Sequence, residues 1–118
     1  MNQFYCYTKC STCKKAQKYL DERNIPYEII DIKSAKFTNS DIKNFHQRSG
    51  KDIRKLFNTS GNVYKELKLK DKIKDMTIDE CYDLLSTNGM LIKRPILVTD
   101  YKVYIGFKED EYGALMNE

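Results

Sequence analysis

At 118 residues, the chain has room for one domain built around one core and for no second. A content of 41% hydrophobic and 32% charged residues excludes a disordered chain, and no apolar run approaches the roughly 18 residues that cross a bilayer. The net charge of +4 comes from Lys and Arg mixed with Asp and Glu, even across Lys65–Lys74, which excludes the one-sided patch of a direct nucleic-acid binder.

Residues 3–7, Gln-Phe-Tyr-Cys-Tyr, are rich in aromatics and predict a short buried strand. Next, Cys13, Ala16 and Leu20 recur at helical spacing, while Lys14, Lys15, Lys18, Asp21 and Glu22 fall on other faces. Asn24 and Pro26 close that helix, because proline lacks an amide donor and disfavours helix in the residue before it. Tyr27 to Ile32 alternates into a second strand. Residues 3–32 therefore predict a β-α-β unit with Cys10-Ser-Thr-Cys13 at its strand-to-helix junction.

From about residue 36 to 88 the pattern turns helical. Thr38 or Ser40 can cap a helix whose inner side is Ile42, Phe45, His46 and Ser49, and Gly50 ends it. Asp52 to Phe57 reads as a short helical turn, Asn58 to Asn62 as a loop, and Tyr64 to Ile73 as one or two short helices. Thr77 and Glu80 have capping-box spacing, with Ile78, Cys81, Tyr82 and Leu85 as the inward stripe up to Gly89. Pro95 then precedes Ile96 to Thr99, a core strand, and Lys102 to Gly106 returns as the second arm of a hairpin. Tyr112, Leu115 and Met116 suggest a last helix.

The expected architecture is a single α/β domain over residues 1–118 with a mixed four-stranded sheet, β-α-β then β-β-α. Residues of about 1–35 and 89–118 supply the strands of that sheet, and about 36–88 the helical block between them. The first ten residues lack the basic-then-apolar layout of a secretory signal, so the cytoplasm is the expected location.

Four cysteines, only two of them close, do not make a secreted disulfide scaffold. The chemistry of Cys-X-X-Cys at a helix start is specific. A thiolate attacks and a thiol hardly does, and a free cysteine near neutral pH is only a few per cent ionised. Cys10 falls where unpaired backbone N–H groups and the positive end of the helix dipole favour an anion, with Lys9, Lys14 and Lys15 nearby. Cys13, three residues on, shares its side of the helix. Cys10 is thus the candidate nucleophile and Cys13 the candidate resolving thiol.

Two competing readings stand beside this one. A zinc site needs four ligands, yet Cys6 can point away into the sheet, Cys81 sits in an apolar stripe, and His46 is the only histidine. No metal is therefore expected. A purely structural role would make both thiols buried and inert. Cys6 and Cys81 read as small core residues. Arg94 offers a fork of donors for an anion, and spacing alone leaves the Arg94–Pro95 bond open to the ordinary trans form or to cis. Ser11, Thr12, Lys14 and Pro95 are the candidate substrate contacts.

Together, C-S-T-C-K-K-A, F-N-T-S-G-N-V-Y-K-E-L-K-L-K-D-K-I and K-R-P-I-L-V, in that order, resemble the ArsC/Spx family, and the likeness is strongest to its small Spx/MgsR-like members. The resemblance implies a thioredoxin-like fold with an inserted helical subdomain, Cys10 as the redox cysteine, and Pro95 as a cis proline. The family's arsenate reductases hold the oxyanion with three arginines. Arg94 matches one, whereas Ser60 and Phe107 stand at the other two positions. The Spx branch pairs a redox switch with binding to RNA polymerase, through the C-terminal domain of the polymerase α chain. Gly50 lies where that branch places a glycine at the contact.

Three functions are expected in this order: a thiol–disulfide oxidoreductase, an Spx-type regulator, and an arsenate reductase. No bound cofactor is expected. The electron donor implied is glutathione, thioredoxin or glutaredoxin, the partner a thiol or disulfide protein or glutathione, and the chain a monomer.

Overall fold

The computed structural model describes residues 1–118. Strand β1 (Asn2–Cys6) leads into helix α1 (Ser11–Glu22) and returns as strand β2 (Tyr27–Asp31), parallel to β1. Strand β3 (Ile96–Val98) lies antiparallel on the other side of β1, and strand β4 (Val103–Ile105) pairs antiparallel with β3. The sheet order is β2-β1-β3-β4, a mixed four-stranded sheet of thioredoxin-like form.

Backbone hydrogen bonding sets the strand ends. Tyr7 was expected in the first strand, but its N–H goes to the sulfur of Cys13 and its carbonyl accepts from Cys10 N–H, so the ladder stops at Cys6. At the hairpin, the Thr99 hydroxyl accepts from the amides of Tyr101 and Lys102, which holds Lys102 in the turn. Gly106 takes a left-handed φ of 73° and ends β4 one residue earlier than expected.

Alternation along the strands divides the core in two. Phe4, Cys6, Leu97 and Tyr104 face α1 and the C-terminal segment, where Cys13, Ala16, Leu20, Tyr112 and Leu115 complete one cluster. Ile96, Val103 and Ile105 face the opposite way and meet the helical block. That block runs through α2 (Asn39–Ser49), α3 (Asn62–Glu66), α4 (Leu69–Lys72) and α5 (Ile78–Ser86). Thr38 with Asp41, and Thr77 with Glu80, form complete capping boxes, each satisfying two otherwise orphaned N–H groups. Lys68, at a positive φ of 54°, breaks the Tyr64–Ile73 stretch into α3 and α4. No helix is long and apolar enough to cross a membrane.

Two expected core positions face solvent. Ile78 is 52% exposed because, as the first residue of α5, it precedes the stripe made by Cys81, Tyr82 and Leu85. Met116 is also exposed, because after α6 (Glu109–Tyr112) the chain tightens into a 3-10 turn that buries Leu115 instead. His46 is half-buried, with Nδ1 at 2.5 Å from the Tyr82 hydroxyl.

Tyr112 is fully buried, yet its hydroxyl has no hydrogen-bond partner. A buried unpaired hydroxyl costs about 1–3 kcal/mol. Tyr112→Phe is therefore expected to leave stability unchanged or raise it by about that amount, read as the denaturant midpoint.

Candidate active site

Residue 10 is the N-cap of α1, with extended backbone angles of φ −97° and ψ 118°. Its side chain occupies the place that Ser, Thr or Asp takes in an ordinary cap: Cys13 N–H donates to Cys10 Sγ at 3.4 Å. A sulfur there is held by a first-turn amide and by the positive end of the helix. Cys10 is half-buried, whereas Cys13, facing the sheet, is 1% exposed. All four cysteines are free thiols.

The two thiols are driven in opposite directions. Burial pulls the Cys10 pKa upward, but the Cys13 amide, the Cys13 thiol and the Arg94 guanidinium together outweigh it, so the net shift is downward. Cys13 is pushed up to about 12, first by burial, with its neighbours Cys10 and Cys6 adding to the shift. Arg94, not a lysine, is the cation acting on Cys10. Lys9, Lys14 and Lys15 all point into solvent, where screening weakens them.

Arg94 is held in place from two sides. Its guanidinium lies over the Tyr7 ring, 5.1 Å from the centroid, and its Nη1 is 3.9 Å from Met90 Sδ. It forms no ion pair, so its charge is free to act on the sulfur or on a ligand. The Arg94–Pro95 peptide bond is cis, and Pro95 is buried. Backbone hydrogen bonds from Asn58 N to Leu91 O and from Lys93 N to Leu56 O tie the 56–58 segment to the chain leading into Arg94.

A cleft of about 610 Å³ adjoins the site through Tyr7 and Arg94, with Lys33, Asn58, Asn62 and Asn88 completing its walls, and neither Cys10 nor Cys13 lines it. Ser60 lines it too. Phe107 does not: it packs into an aromatic group with Tyr19 and Tyr112, its ring 4.8 Å from that of Tyr112. Among the candidate substrate contacts, Ser11 and Lys14 are exposed and Thr12 is half-buried on the first turn of α1. Gly50 closes α2 at φ 67° and does not line the cleft.

Several site residues are not foreseen by the sequence reading. Tyr7 supplies both an amide to Cys13 and a ring under Arg94. Lys33, Asn58, Asn62 and Asn88 come from three separate segments of the chain. Cys6 does not point away: it is 5% exposed and packs in the same cluster as Cys13. The alternation Phe4-Tyr5-Cys6 would have placed it on the Phe4 face, the one signal available. Cys81 lies in the other cluster, and no three His, Cys, Asp or Glu side chains converge on a metal-binding position.

The pairing of Arg94 with Cys10 has a measurable consequence. Because the Cys10 pKa is lowered, its alkylation rate is expected to hold as pH drops below the range of ordinary thiols, and to fall only through the depressed value. Arg94→Ala is expected to move that inflection upward, read by iodoacetamide kinetics against pH.

A family model described as the ArsC family matches residues 5–115. The protein YusI of Bacillus subtilis strain 168 is 45% identical over 109 residues, covering 92% of each chain. The global transcriptional regulator Spx of Staphylococcus epidermidis is 28% identical over 102 residues, covering 86% of this chain and 76% of its own. An ArsC family related protein from Bacteroides fragilis superposes with a TM-score of 0.94 at 46% identity, covering 97% of this chain and 96% of its own.

Proposed function

The chain belongs to the ArsC family, and from that premise we propose that it is a thiol–disulfide oxidoreductase with Cys10 as nucleophile and Cys13 as resolving thiol. The carrying observation is the contrast between the two sulfurs: one half-exposed, capping a helix beside a free guanidinium, the other buried and pushed up to about 12. The Cys10 thiolate attacks one sulfur of a disulfide R–S–S–R′, forming Cys10–S–S–R and expelling R′S⁻. Cys13 then gives up its proton to the departing thiolate and attacks Cys10 Sγ. The Cys10–Cys13 disulfide forms and RSH leaves. A dithiol donor of the thioredoxin or glutaredoxin kind, or two glutathione molecules, returns the pair to the reduced state. The chain acts as a monomer in the cytoplasm and needs no bound cofactor.

The cleft supports a polar substrate body. Two cations, Lys33 and Arg94, and three side-chain amides suit a thiol carrying carboxylates and amides, such as glutathione or a peptide segment of a partner protein. On this reading Ser11, Thr12, Lys14 and Pro95 are further substrate contacts, with Ser11 and Lys14 exposed and Thr12 half-buried on the first turn of α1. The test is a Cys13→Ser variant, which is expected to accumulate a mixed disulfide on Cys10, visible by intact mass and released by reductant. A Cys10 that titrates as an ordinary thiol and traps nothing would end this reading.

A second reading, an Spx-type regulator that binds the α C-terminal domain of RNA polymerase, draws on the Spx relatives and on Gly50. That glycine is exposed and left-handed, and a Cβ built on it meets nothing within 4 Å, so the surface around it is open. A pull-down with that domain, in reduced and oxidised states, decides it: no binding in either state removes the idea. Arsenate reduction is the third reading. With Ser60 on the cleft wall and Phe107 in the aromatic group, Arg94 keeps only Lys33 as a cationic companion in the cleft. Charge-assisted forks carry oxyanion recognition, so arsenate turnover with glutathione–glutaredoxin or thioredoxin is expected to be undetectable.

A further inference from the structure

Three of the four cysteines belong to one side of the sheet. Cys6 and Cys13 lie in the same buried cluster, with Cys10 packed against it, and Cys81 is on the far side of the sheet. The backbone N–H of Tyr7, the next residue after Cys6, donates to Cys13 Sγ at 3.4 Å. That amide nitrogen is two bonds from Cys6 Cα, which places the Cys13 sulfur within about 6 Å of Cys6 Cα. The Cys6 side chain points to the same face as Phe4 and packs in the cluster that holds Cys13. Cys13 is thus flanked by two thiols, one toward solvent and one toward the sheet.

We propose that Cys6 is a second resolving thiol, which takes Cys13 from the Cys10–Cys13 disulfide and stores the oxidising equivalents in the core. The step rests on the oxidoreductase reading, which supplies that disulfide from a disulfide substrate. The Cys6 sulfur gives up its proton and attacks Cys13 Sγ. The Cys10–Cys13 bond breaks, the Cys6–Cys13 bond forms, and Cys10 departs as a thiolate while the proton passes to solvent. One S–S bond replaces another, so no further oxidant or reductant is consumed.

Physical chemistry favours the exchange in this direction. Of the three sulfurs, Cys10 is the one whose anion is stabilised, by the Cys13 amide and Arg94, and a stabilised thiolate is the better leaving group. The sulfurs left bonded are the two for which a charge in the core is costly. Both are nearly sealed from water, so an external thiol reaches the relocated bond poorly. Cys10, meanwhile, is free to attack again while the chain is still oxidised.

The digestion pattern makes the exchange measurable. Trypsin cutting after Lys9 and Lys14 places Cys6 in the fragment 1–9 and both Cys10 and Cys13 in the fragment 10–14. The full chain is oxidised with oxidised glutathione, blocked with N-ethylmaleimide at low pH, digested without reductant and mapped by mass. The expected result is fragment 1–9 cross-linked to 10–14 through Cys13, with N-ethylmaleimide on Cys10. In Cys10→Ser treated with diamide, the same cross-link is expected to form with the loss of two hydrogens, and in Cys6→Ser it is expected to be absent. An oxidised wild type that yields only the internally looped 10–14 fragment, or a cross-link through Cys10 with Cys13 alkylated, overturns the proposal and leaves the oxidoreductase reading standing. A wild type that forms no disulfide at all overturns both.

Discussion

Replacing Cys10 with serine is expected to cut disulfide exchange by about 10³-fold or more, the scale seen when an enzyme loses its nucleophile. A hydroxyl at residue 10 can still cap α1, since serine is a preferred N-cap, so the helix keeps its first hydrogen bond. What disappears is the anion. Serine's hydroxyl stays protonated at neutral pH and forms no disulfide, so neither Arg94 nor the Cys13 amide has a thiolate to hold. Because the cap survives, the fold should persist, and a thermal melt within a few degrees of wild type would separate lost chemistry from lost structure. Residual exchange near the wild-type rate would mean that Cys13 or Cys6 attacks substrate directly, contrary to their burial.

A second large effect is expected at a backbone contact rather than at a sulfur. Gly89 begins the 3-10 turn Gly89–Leu91 and packs directly on the backbone carbonyl of Ile32, the residue after β2. A Cβ at residue 89 would overlap that carbonyl oxygen, a backbone atom that no rotamer change can move. Gly89→Ala is therefore expected to cost about 3 kcal/mol or more, at the upper end of overpacking effects. The melting temperature should fall on the order of 10 °C. The turn also carries Met90 toward Arg94, so the surviving folded fraction is expected to show slower alkylation at Cys10. Gly113→Ala is the control, because its Cβ meets nothing within 4 Å and its φ of −55° suits alanine. There a small gain, a few tenths to about 1 kcal/mol, is expected. Equal losses at both positions would show that the close approach to Ile32 is not the cause.

Much of this was legible because it is local. Cys10 at a helix start, the two capping boxes and the β-branched run at Ile96–Val98 each depend on neighbours within a few positions. The strand boundaries were displaced by a residue where a side chain competed for a backbone group, as Cys13 does for Tyr7 N–H. The lysines around the Cys-X-X-Cys looked like its charge partners because they are adjacent in sequence. In space they face water, and the acting cation comes from residue 94.

The chain's own order of residues determined that one cysteine would cap a helix and another would sit a turn later, since N-capping and helical periodicity act over three or four positions. It determined, by the same short-range rules, the strands and helices in their chain order. Only the tertiary structure decided which charge reaches Cys10, that Asn58, Asn62 and Asn88 share one cleft with Lys33, and that Cys6 lies against Cys13. Those contacts follow from strand order and from turns such as Gly89 against Ile32. They join residues dozens of positions apart, and no local propensity encodes a separation that the packing of distant elements creates.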